Sequence, residues 1–443
     1  MNKKIKTLSG TIAALASAKG RSGIAVIRVS GPKAIEIYNK ITNKQPKHLK
    51  ATYTSLFDSS GLEIDKGVCL FFSGPKSYTG EDVFEITCHG STVIVEMLLG
   101  RLFELGARQA LEGEFTKRAY LNDKMDLTQA EAVADLIESV STRTAKAALK
   151  SLSGDFSQRV NQISKKIIKL RSIIEASLDF SDQDLEETDH PKLVIKEVEM
   201  TKNSYLVLIK QTRIATRLRD GLVVAIVGEP NVGKSTLFNR MCGSERAIVS
   251  SKAGTTRDII SENITIDGFP IQIIDTAGIR ESKEEVEQEG VRRAIEASKT
   301  ADLAIEVIDI HKHKKKEELE GTITALNKID TYSGPTIKCS ENTFLVSAKT
   351  GTGIDKLLDF IASYFIDADD GATAITARKR HIFSLRESFQ AFSLAEKGIN
   401  EGAPLDLVAE DLLQAQNSLA EVTGEFCTED LLESIFNNFC IGK

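Results

Sequence analysis

Between Leu222 and Arg240 the chain reads as a buried strand, a glycine-rich loop and a helix, and no other feature restricts its fold as tightly. Leu222–Val227 is short, uniformly apolar and rich in β-branched residues, the pattern of a strand covered on both faces. The loop Gly228-Glu-Pro-Asn231-Val232-Gly233-Lys234-Ser235 follows, and Thr236 onward continues with helical spacing. Backbone N–H groups of such a loop, gathered at a helix N-terminus, form an anion cradle. Three more short segments come later: Asp275-Thr276-Ala277-Gly278, Asn327-Lys328-Ile-Asp330 and Ser347-Ala348-Lys349. Their order is the one that a doubly wound α/β sheet imposes, because such folds bind ligands beyond the carboxyl ends of parallel strands.

Together the four segments describe a guanine-nucleotide site. Lys234 supplies a point charge near the β- and γ-phosphates, and the Ser235 hydroxyl suits Mg²⁺. Asp275 ends the apolar run Ile271–Ile274, which predicts a carboxylate beside the same metal. Gly278 has no Cβ to hold its amide away from a γ-phosphate oxygen. The Asp330 carboxylate can accept from the N1–H and 2-amino group of guanine, donors that adenine does not present there. Asn327 and Lys328 are expected to brace the base, and the Ser347–Lys349 backbone to donate to its O6.

The polar loop Ala253-Gly254-Thr255-Thr256-Arg257-Asp258 lies between the first two segments, and Thr256 is expected to ligate Mg²⁺ in the GTP state and release it after hydrolysis. Many small GTPases orient the attacking water with a Gln after Asp-x-x-Gly. Here Ile279 stands in that place, so the water must be held by another group, and Arg280–Glu287 is rich in carboxylates. Asn231 points to a monovalent cation as the extra positive charge over the phosphates.

At 443 residues the chain predicts two to four domains. No apolar run approaches the roughly 20 residues that span a bilayer. The basic start Met1-Asn-Lys-Lys has no apolar segment with a cleavage site behind it, so secretion is not expected. Six cysteines without a Cys-x-x-Cys pair fit reduced, cytoplasmic thiols. A net charge of −6 means that any RNA contact needs a local basic patch. His311-Lys-His-Lys-Lys-Lys316 is the evident patch in the sequence, and a solvated loop is its plainer reading.

Residues 1–119 read as mixed α/β, with strands at Thr11–Ala16, Gly23–Val29, Gly67–Phe72 and Asp82–Cys88 and a helix over Val93–Leu105. From Thr128 the period changes to helical. Thr128 and Glu131 suggest a capping box, with Val133, Ile137 and Val140 on one face. One amphipathic stretch spans Ala145–Leu178, and a second follows Pro191 and stops at Asp220-Gly221. Helical spacing returns at Lys379–Ile399, Asp406–Val422 and Thr428–Phe439. The expected fold class is α/β: a mixed α/β domain at 1–119, a helical bundle from 120–220 and 368–443, and a P-loop domain at 221–367 inserted into the bundle.

With these motifs in view, the chain resembles the MnmE (TrmE) family of tRNA-modification GTPases over nearly its whole length. The resemblance rests on Gly23–Gly31, Ser77–Glu85, Gly113–Ala119, Leu121–Glu131, Thr423-Gly-Glu-Phe and the ending Phe439-Cys440-Ile441-Gly442-Lys443. It implies a homodimer joined by folate-binding N-terminal domains. It also implies work with the FAD enzyme MnmG (GidA), in a heterotetramer or larger complex, on C5 of the tRNA wobble uridine. A tetrahydrofolate derivative, 5-formyl or 5,10-methylene, would supply the carbon for an aminomethyl or carboxymethylaminomethyl group. On the family pattern Asn231, Ser250, Lys252 and Thr255 surround K⁺, Glu287 positions the water, and Arg28, Glu85, Lys124 and Lys443 contact folate. Cys440 has two open readings, a thiol acting near the folate and a structural cysteine; prenylation is disfavoured by Gly442 and Lys443. Two departures stand out: His89-Gly90-Ser91 replaces the usual His-Gly-Gly, and the Lys-rich segment between Asp309 and Thr322 is short. The competing function is a ribosome-assembly GTPase gripping ribosomal RNA, although neither a KH-like Gly-x-x-Gly domain nor a basic tail is visible.

Overall fold

The computed structural model describes residues 9–179, 190–244, 247–249, 260–275, 301–312, 322–335, 337, 339–366, 375–425, 428–437 and 439–443. The chain forms two compact units, Met1–Ala134 with Leu419–Lys443, and Asp135–Ser418.

The first unit holds a six-stranded sheet in the order β3-β4-β5-β2-β1-β6. Its strands are β1 (Thr11–Leu15), β2 (Ser22–Ser30), β3 (Thr52–Phe57), β4 (Glu63–Phe72), β5 (Val83–Gly90) and β6 (Ala107–Gln109). Side chains alternate along the central strands, so Ala25, Ile27 and Val29 share a core with Phe84, Ile86, Cys69 and Phe71. Helices α1 (Ala34–Thr42) and α2 (Thr92–Glu104) cover that face with Ile37, Tyr38, Ile41, Leu98 and Leu102. The same alternation turns Arg28 and its cross-strand partner Glu85 to the opposite face.

Four elements of this unit were not read from the sequence: α1, β3, β6 and α3 (Glu114–Leu121). Helix α4 (Leu127–Glu138) starts one residue before the expected Thr128, and its cap differs from expectation. Asp126 Oδ1 accepts from the Gln129 amide at 3.0 Å, and Gln129 Oε1 accepts from the Asp126 amide at 3.0 Å. That reciprocal pair is the capping box, while Thr128 and Glu131 are buried. Val133 packs against the local core, whereas Ile137 and Val140 are exposed, so the expected apolar face ends at Ala134. At the departure His89-Gly90-Ser91, Ser91 has φ −82°, a conformation that needs no glycine. A Cβ on Gly90 would lie 2.2 Å from Ser22 Oγ, so the glycine that matters there is retained.

In the second unit the expected single helix over Ala145–Leu178 is two, α5 (Thr142–Leu152) and α6 (Asp155–Asp179), parted at Gly154 with φ +91°. Helix α7 (His190–Asp220) carries Pro191 in its first turn, where the missing N–H costs nothing. A seven-stranded sheet follows in the order β13-β12-β11-β7-β10-β9-β8. The strands are β7 (Leu222–Val227), β8 (Ala247–Val249), β9 (Ile260–Ile266), β10 (Phe269–Asp275), β11 (Leu303–Asp309), β12 (Thr322–Asn327) and β13 (Thr343–Leu345). β13, β12, β11, β7 and β10 run parallel, and β8–β9–β10 add an antiparallel edge. Helices α8 (Lys234–Cys242) and α9 (Ile354–Ile366) bury Leu237, Phe238, Met241, Leu357, Leu358 and Ile361 in the sheet's core. α10 (Lys379–Glu401) and α11 (Leu405–Thr423) follow, and in the first unit α12 (Glu429–Phe436) is capped by Thr428.

Asp135 marks where the chain passes between the helices and the seven-stranded sheet. Its buried carboxylate accepts from Arg219 Nε at 2.8 Å and from Arg378 Nη2 at 3.1 Å. Arg219 lies just before β7 and Arg378 just before α10, so one carboxylate pins both crossings. The β9–β10 turn is held as well: Ser141 Oγ, which caps α5, donates to the Gly268 carbonyl at 2.6 Å, and Arg143 stacks 4.5 Å over the Phe269 ring. No helix among the described residues is long and apolar enough to cross a membrane.

Candidate nucleotide site and a second polar cluster

The glycine-rich loop leaves β7 at the carboxyl edge of the sheet and ends at the N-terminus of α8. Its glycines are required by close approach. A Cβ on Gly228 would lie 2.4 Å from the Val307 carbonyl, and one on Gly233 2.4 Å from Asn327 Nδ2. Both have positive φ, +145° and +99°. Asn231 also lies in the left-handed region, at φ +62°, which Asn tolerates better than most side chains. Lys234 Nζ donates to the Gly228 and Glu229 carbonyls, each at 2.8 Å, so its ammonium sits over the mouth of the loop. Ser235 and Thr236 are exposed in the first turn of α8, and Val232 is buried beneath the loop.

Asn327 joins the loop to the Ser347–Lys349 segment. It is 3% exposed; its Nδ2 donates to the Val232 carbonyl at 2.8 Å, and its Oδ1 accepts from the Ala348 amide at 2.9 Å. Lys328, at φ +72°, donates from Nζ to the Asn231 carbonyl at 3.1 Å and to Asp309 Oδ2 at 2.7 Å. The hydrogen bond from Lys328 holds the Asp309 carboxyl well below the ordinary carboxylate range. Asp330 stays exposed, and Ser347 Oγ donates to its Oδ1 at 2.6 Å, which lowers its pKa. Asn327 and Lys328 therefore bond to the protein's own loops and fix the walls within which Asp330 is presented.

Two participants escaped the sequence reading. Asp309 terminates β11, and only the fold shows that it faces Lys328. Arg240, on α8, donates to the Ala348 carbonyl at 3.2 Å and to the Lys349 carbonyl at 2.5 Å. Asp275 closes β10 in register with Ile226 of β7, which sets its backbone beside the loop. Its side chain, together with Ser250, Lys252, Thr255, Thr256, Thr276, Ala277, Gly278 and Glu287, lies outside the described residues. Of the basic patch, His311 and Lys312 are described: His311 Nδ1 lies 3.0 Å from Asp309 Oδ1, and Lys312 Nζ 3.9 Å from Glu229 Oε2.

A second cluster forms in the first unit. Arg28 Nε donates to Glu85 Oε1 at 2.8 Å, and the guanidinium lies 5.2 Å from the Tyr78 ring and 5.7 Å from the Phe115 ring. The terminal segment is folded against it. Ile441 bridges Glu112, the Phe115 amide donates to the Lys443 carbonyl at 3.2 Å, and Arg28 Nη1 reaches the Gly442 carbonyl at 3.5 Å. Gly442 has φ +99°, and a Cβ there would lie 2.1 Å from the Leu15 carbonyl. Burial, then the neighbouring Arg28, lowers the Lys443 pKa; Glu85 and Cys440 act in the other direction. Cys440 is exposed within this cluster. Lys124 is set apart, its Nζ donating to the Pro75 carbonyl at 2.9 Å while its stem lies against Gly80.

Beneath these groups Arg118 is 2% exposed and joins Glu81 and Glu114, each at 2.9 Å. Burial pushes the Glu114 carboxyl up, but hydrogen bonds from Arg108, the Leu111 amide and Arg118 outweigh it and leave the pKa lowered. Ser30 Oγ donates to Glu81 Oε2 at 2.7 Å and lies 2.7 Å from Thr79 Oγ1, so the network shores up the strand that carries Arg28. Of the six cysteines, Cys69, Cys88, Cys242, Cys339 and Cys440 are described, and all are free thiols.

A family model described as the GTP-binding protein TrmE N-terminus matches residues 11–124, and one described as the MnmE helical domain matches residues 127–440. A tRNA modification GTPase MnmE from Legionella pneumophila (strain Paris) is 41% identical over 451 residues, covering 98% of this chain and 99% of its own. A protein of the same name from Neisseria meningitidis serogroup C (strain 053442) is 42% identical over 447 residues, with the same coverage. The solved G domain of the T. maritima FeoB iron transporter aligns with 32% of this chain and 98% of its own, at 25% identity and a TM-score of 0.22. With a P-loop sheet inserted among helices and this likeness over its length, the chain belongs to the MnmE (TrmE) family of tRNA modification GTPases, GTP hydrolases that act in tRNA modification.

Proposed function

We propose that GTP hydrolysis in this protein, stimulated by K⁺, drives modification of C5 of the tRNA wobble uridine together with the flavoprotein MnmG. The observation that carries this reading is the cluster of Arg28, Glu85, Lys443 and Cys440, assembled from two β-strands and the terminal segment. A folate fits that donor set: the Glu85 carboxylate can accept from the paired donors of a pterin edge, and Arg28, Lys443 and Lys124 can meet its acidic tail. When bound, a tetrahydrofolate (5-formyl or 5,10-methylene) supplies the one-carbon unit. Arg28 and Glu85 orient it, and the Tyr78 and Phe115 rings shield one side of the guanidinium from water.

In the nucleotide site, Ser235 and Thr256 are assigned to Mg²⁺, with the Asp275 carboxylate beside the metal and acting through water. Asn231, Ser250, Lys252 and Thr255 are assigned to K⁺. The Asn231 backbone carbonyl is taken by the Lys328 ammonium at 3.1 Å, so the atom assigned to the cation is its side-chain oxygen. Glu287 is assigned to hold the attacking water. On this reading residues 221–367 act as the G domain, 120–220 and 368–443 as the helical domain, and 1–119 as a folate-binding domain that joins two copies in a cytoplasmic homodimer. That dimer would bind MnmG in a heterotetramer or larger assembly.

Two measurements test the proposal. GTP hydrolysis should be faster in K⁺ than in Na⁺ at equal ionic strength, and equal rates remove K⁺ from the mechanism. Mass analysis of tRNA from a deletion strain should show the wobble uridine unmodified; intact modification rejects the function.

A further inference from the structure

We propose that the groove between α6 and α7 binds the phosphate backbone of RNA, which for a tRNA-modifying protein is its tRNA; the identity of the RNA rests on that reading. The groove encloses about 420 Å³ and no carboxylate lines it, in a chain whose net charge is −6. Arg159 and Lys166, two turns apart on α6, stand along one wall. Their intramolecular partners are neutral: Arg159 Nη1 donates to Gln211 Oε1 at 2.7 Å, and Lys166 Nζ to Ser204 Oγ at 2.8 Å. A neutral acceptor fixes a cation without cancelling its charge, and each head group keeps further N–H donors for a ligand. Elsewhere on the same helices Lys169 meets Glu197 and Lys202 meets Glu396, whereas no such pairing neutralises Arg159 or Lys166 among the described residues.

Two more cations adjoin lining residues in sequence, Lys165 beside Lys166 and Lys210 beside Gln211. Lys165 and Lys210 are exposed, and neither has a carboxylate partner among the described residues. Gln162 and Asn203 add amide donors and acceptors suited to ribose and phosphate oxygens, over a floor that includes Ile163 and Leu208. No aromatic ring lines the groove, which argues against stacked bases and against the aromatic anchors of a protein interface. What remains is recognition of a polyanionic backbone, independent of sequence and dependent on salt.

The test is a fluorescence-anisotropy titration of the full chain with an unmodified tRNA transcript at several salt concentrations. Lys165→Glu/Lys210→Glu changes only exposed side chains that bond to nothing described, so it keeps the fold. Arg159→Gln/Lys166→Gln removes the charge from the wall itself. Each pair should weaken binding about tenfold or more and reduce the slope of log affinity against log salt by about 1–2, as expected for two lost phosphate contacts. GTP hydrolysis without RNA should stay at the wild-type rate. Unchanged affinity and slope in the Arg159/Lys166 variant overturn the proposal, as does a wild-type chain with no salt-dependent tRNA binding. If the variants bind tRNA normally but no longer co-sediment with a protein partner, the groove is a protein interface and the RNA assignment is wrong. Should a deletion strain keep its wobble modification, the functional reading fails by itself; lost modification that the variants restore, with normal tRNA affinity, defeats only the groove.

Discussion

Replacing Asn327 should loosen the nucleotide site without touching a group that contacts γ-phosphate. In Asn327→Ala the Val232 carbonyl and the Ala348 amide both lose their partner in a site that is 3% exposed. Leaving a buried backbone group unsatisfied costs about 1–3 kcal/mol, so the two together cost about 2–6 kcal/mol. Both groups lie in loops that can relax toward water, which places the effect near the lower end, about 2–3 kcal/mol. If nucleotide binding must restore the loop geometry, that energy appears as affinity weakened about 30- to 150-fold. GDP and GTP should suffer alike, because neither bond lies at the γ-phosphate position, and the hydrolysis rate at saturating GTP should change little. Asn327→Asp separates the two bonds. Its carboxylate still accepts from Ala348 but opposes the Val232 carbonyl, and a protonated carboxyl could donate to that carbonyl instead. Its affinity should therefore improve relative to wild type as pH falls, whereas that of Asn327→Ala should not. Titration calorimetry with GDP between pH 5.5 and 8, conditions set at about these values to bracket neutrality, supplies the comparison. Wild-type GDP affinity in Asn327→Ala would show that the loops are held by other means and refute the argument.

Three further outcomes follow from the same geometry. Arg118→Met takes one of two cations from the buried Glu114, leaving Arg108 at 2.6 Å, and should destabilise the N-terminal unit by about 3 kcal/mol in chemical denaturation; a loss below 1 kcal/mol rejects the buried-pair reading. The sign with pH is fixed by the lowered Glu114 pKa: its contribution is full above the ordinary value of 4.5 and is lost as pH falls through the folded value, and in Arg118→Met that loss should begin at higher pH. Asp135→Asn removes the charge shared by Arg219 and Arg378 and should speed amide exchange at Gly221–Leu222 and Thr376–Arg378 by about tenfold or more, leaving β12 unchanged; equal exchange at all three would show that the two crossings are not pinned there. Asp330→Asn should weaken GTP binding and favour xanthosine triphosphate, whose base presents an acceptor where guanine presents its 2-amino donor, and unchanged GTP affinity rejects the assignment of the base.

The nucleotide site was legible in the sequence because its requirements are local. A buried strand, glycines where a Cβ would strike a neighbouring carbonyl, and a polar residue at a strand's carboxyl end all leave their mark within a few residues of one another. Gly228 and Gly233 mark the loop in the sequence, although the contacts that exclude a Cβ there come from Val307 on β11 and Asn327 on β12. What the motifs did not reveal were partners set by the order of strands. Asp309 meets Lys328 only because β11 and β12 pair in parallel with Asp309 opposite Asn327, and Arg240 reaches Ala348 from a helix more than a hundred residues away. Helix limits failed for a related reason: Gly154 and the Asp126–Gln129 cap act through a single backbone angle and one side chain, which a periodicity of apolar residues averages away.

The second cluster is the opposite case, and it explains why resemblance was needed to find it. Arg28 and Glu85 belong to an ordinary alternating pattern in two strands, and a surface ion pair in such a place is usually worth little. Two facts of tertiary structure change its meaning. The terminal segment is held across it by the Glu112–Ile441 bridge and by bonds from Phe115 and Arg28, and Gly442 passes so close to Leu15 that no side chain fits. A tail free to move would have no need of that glycine. The buried Arg118 network, reached from Ser30 two residues beyond Arg28 on the same strand, then holds the floor in place. Neither relation has a sequence period, since one joins residues hundreds of positions apart and the other joins a strand, a loop and a helix, and so charge, closure and rigidity at this site became visible only when the chain was folded.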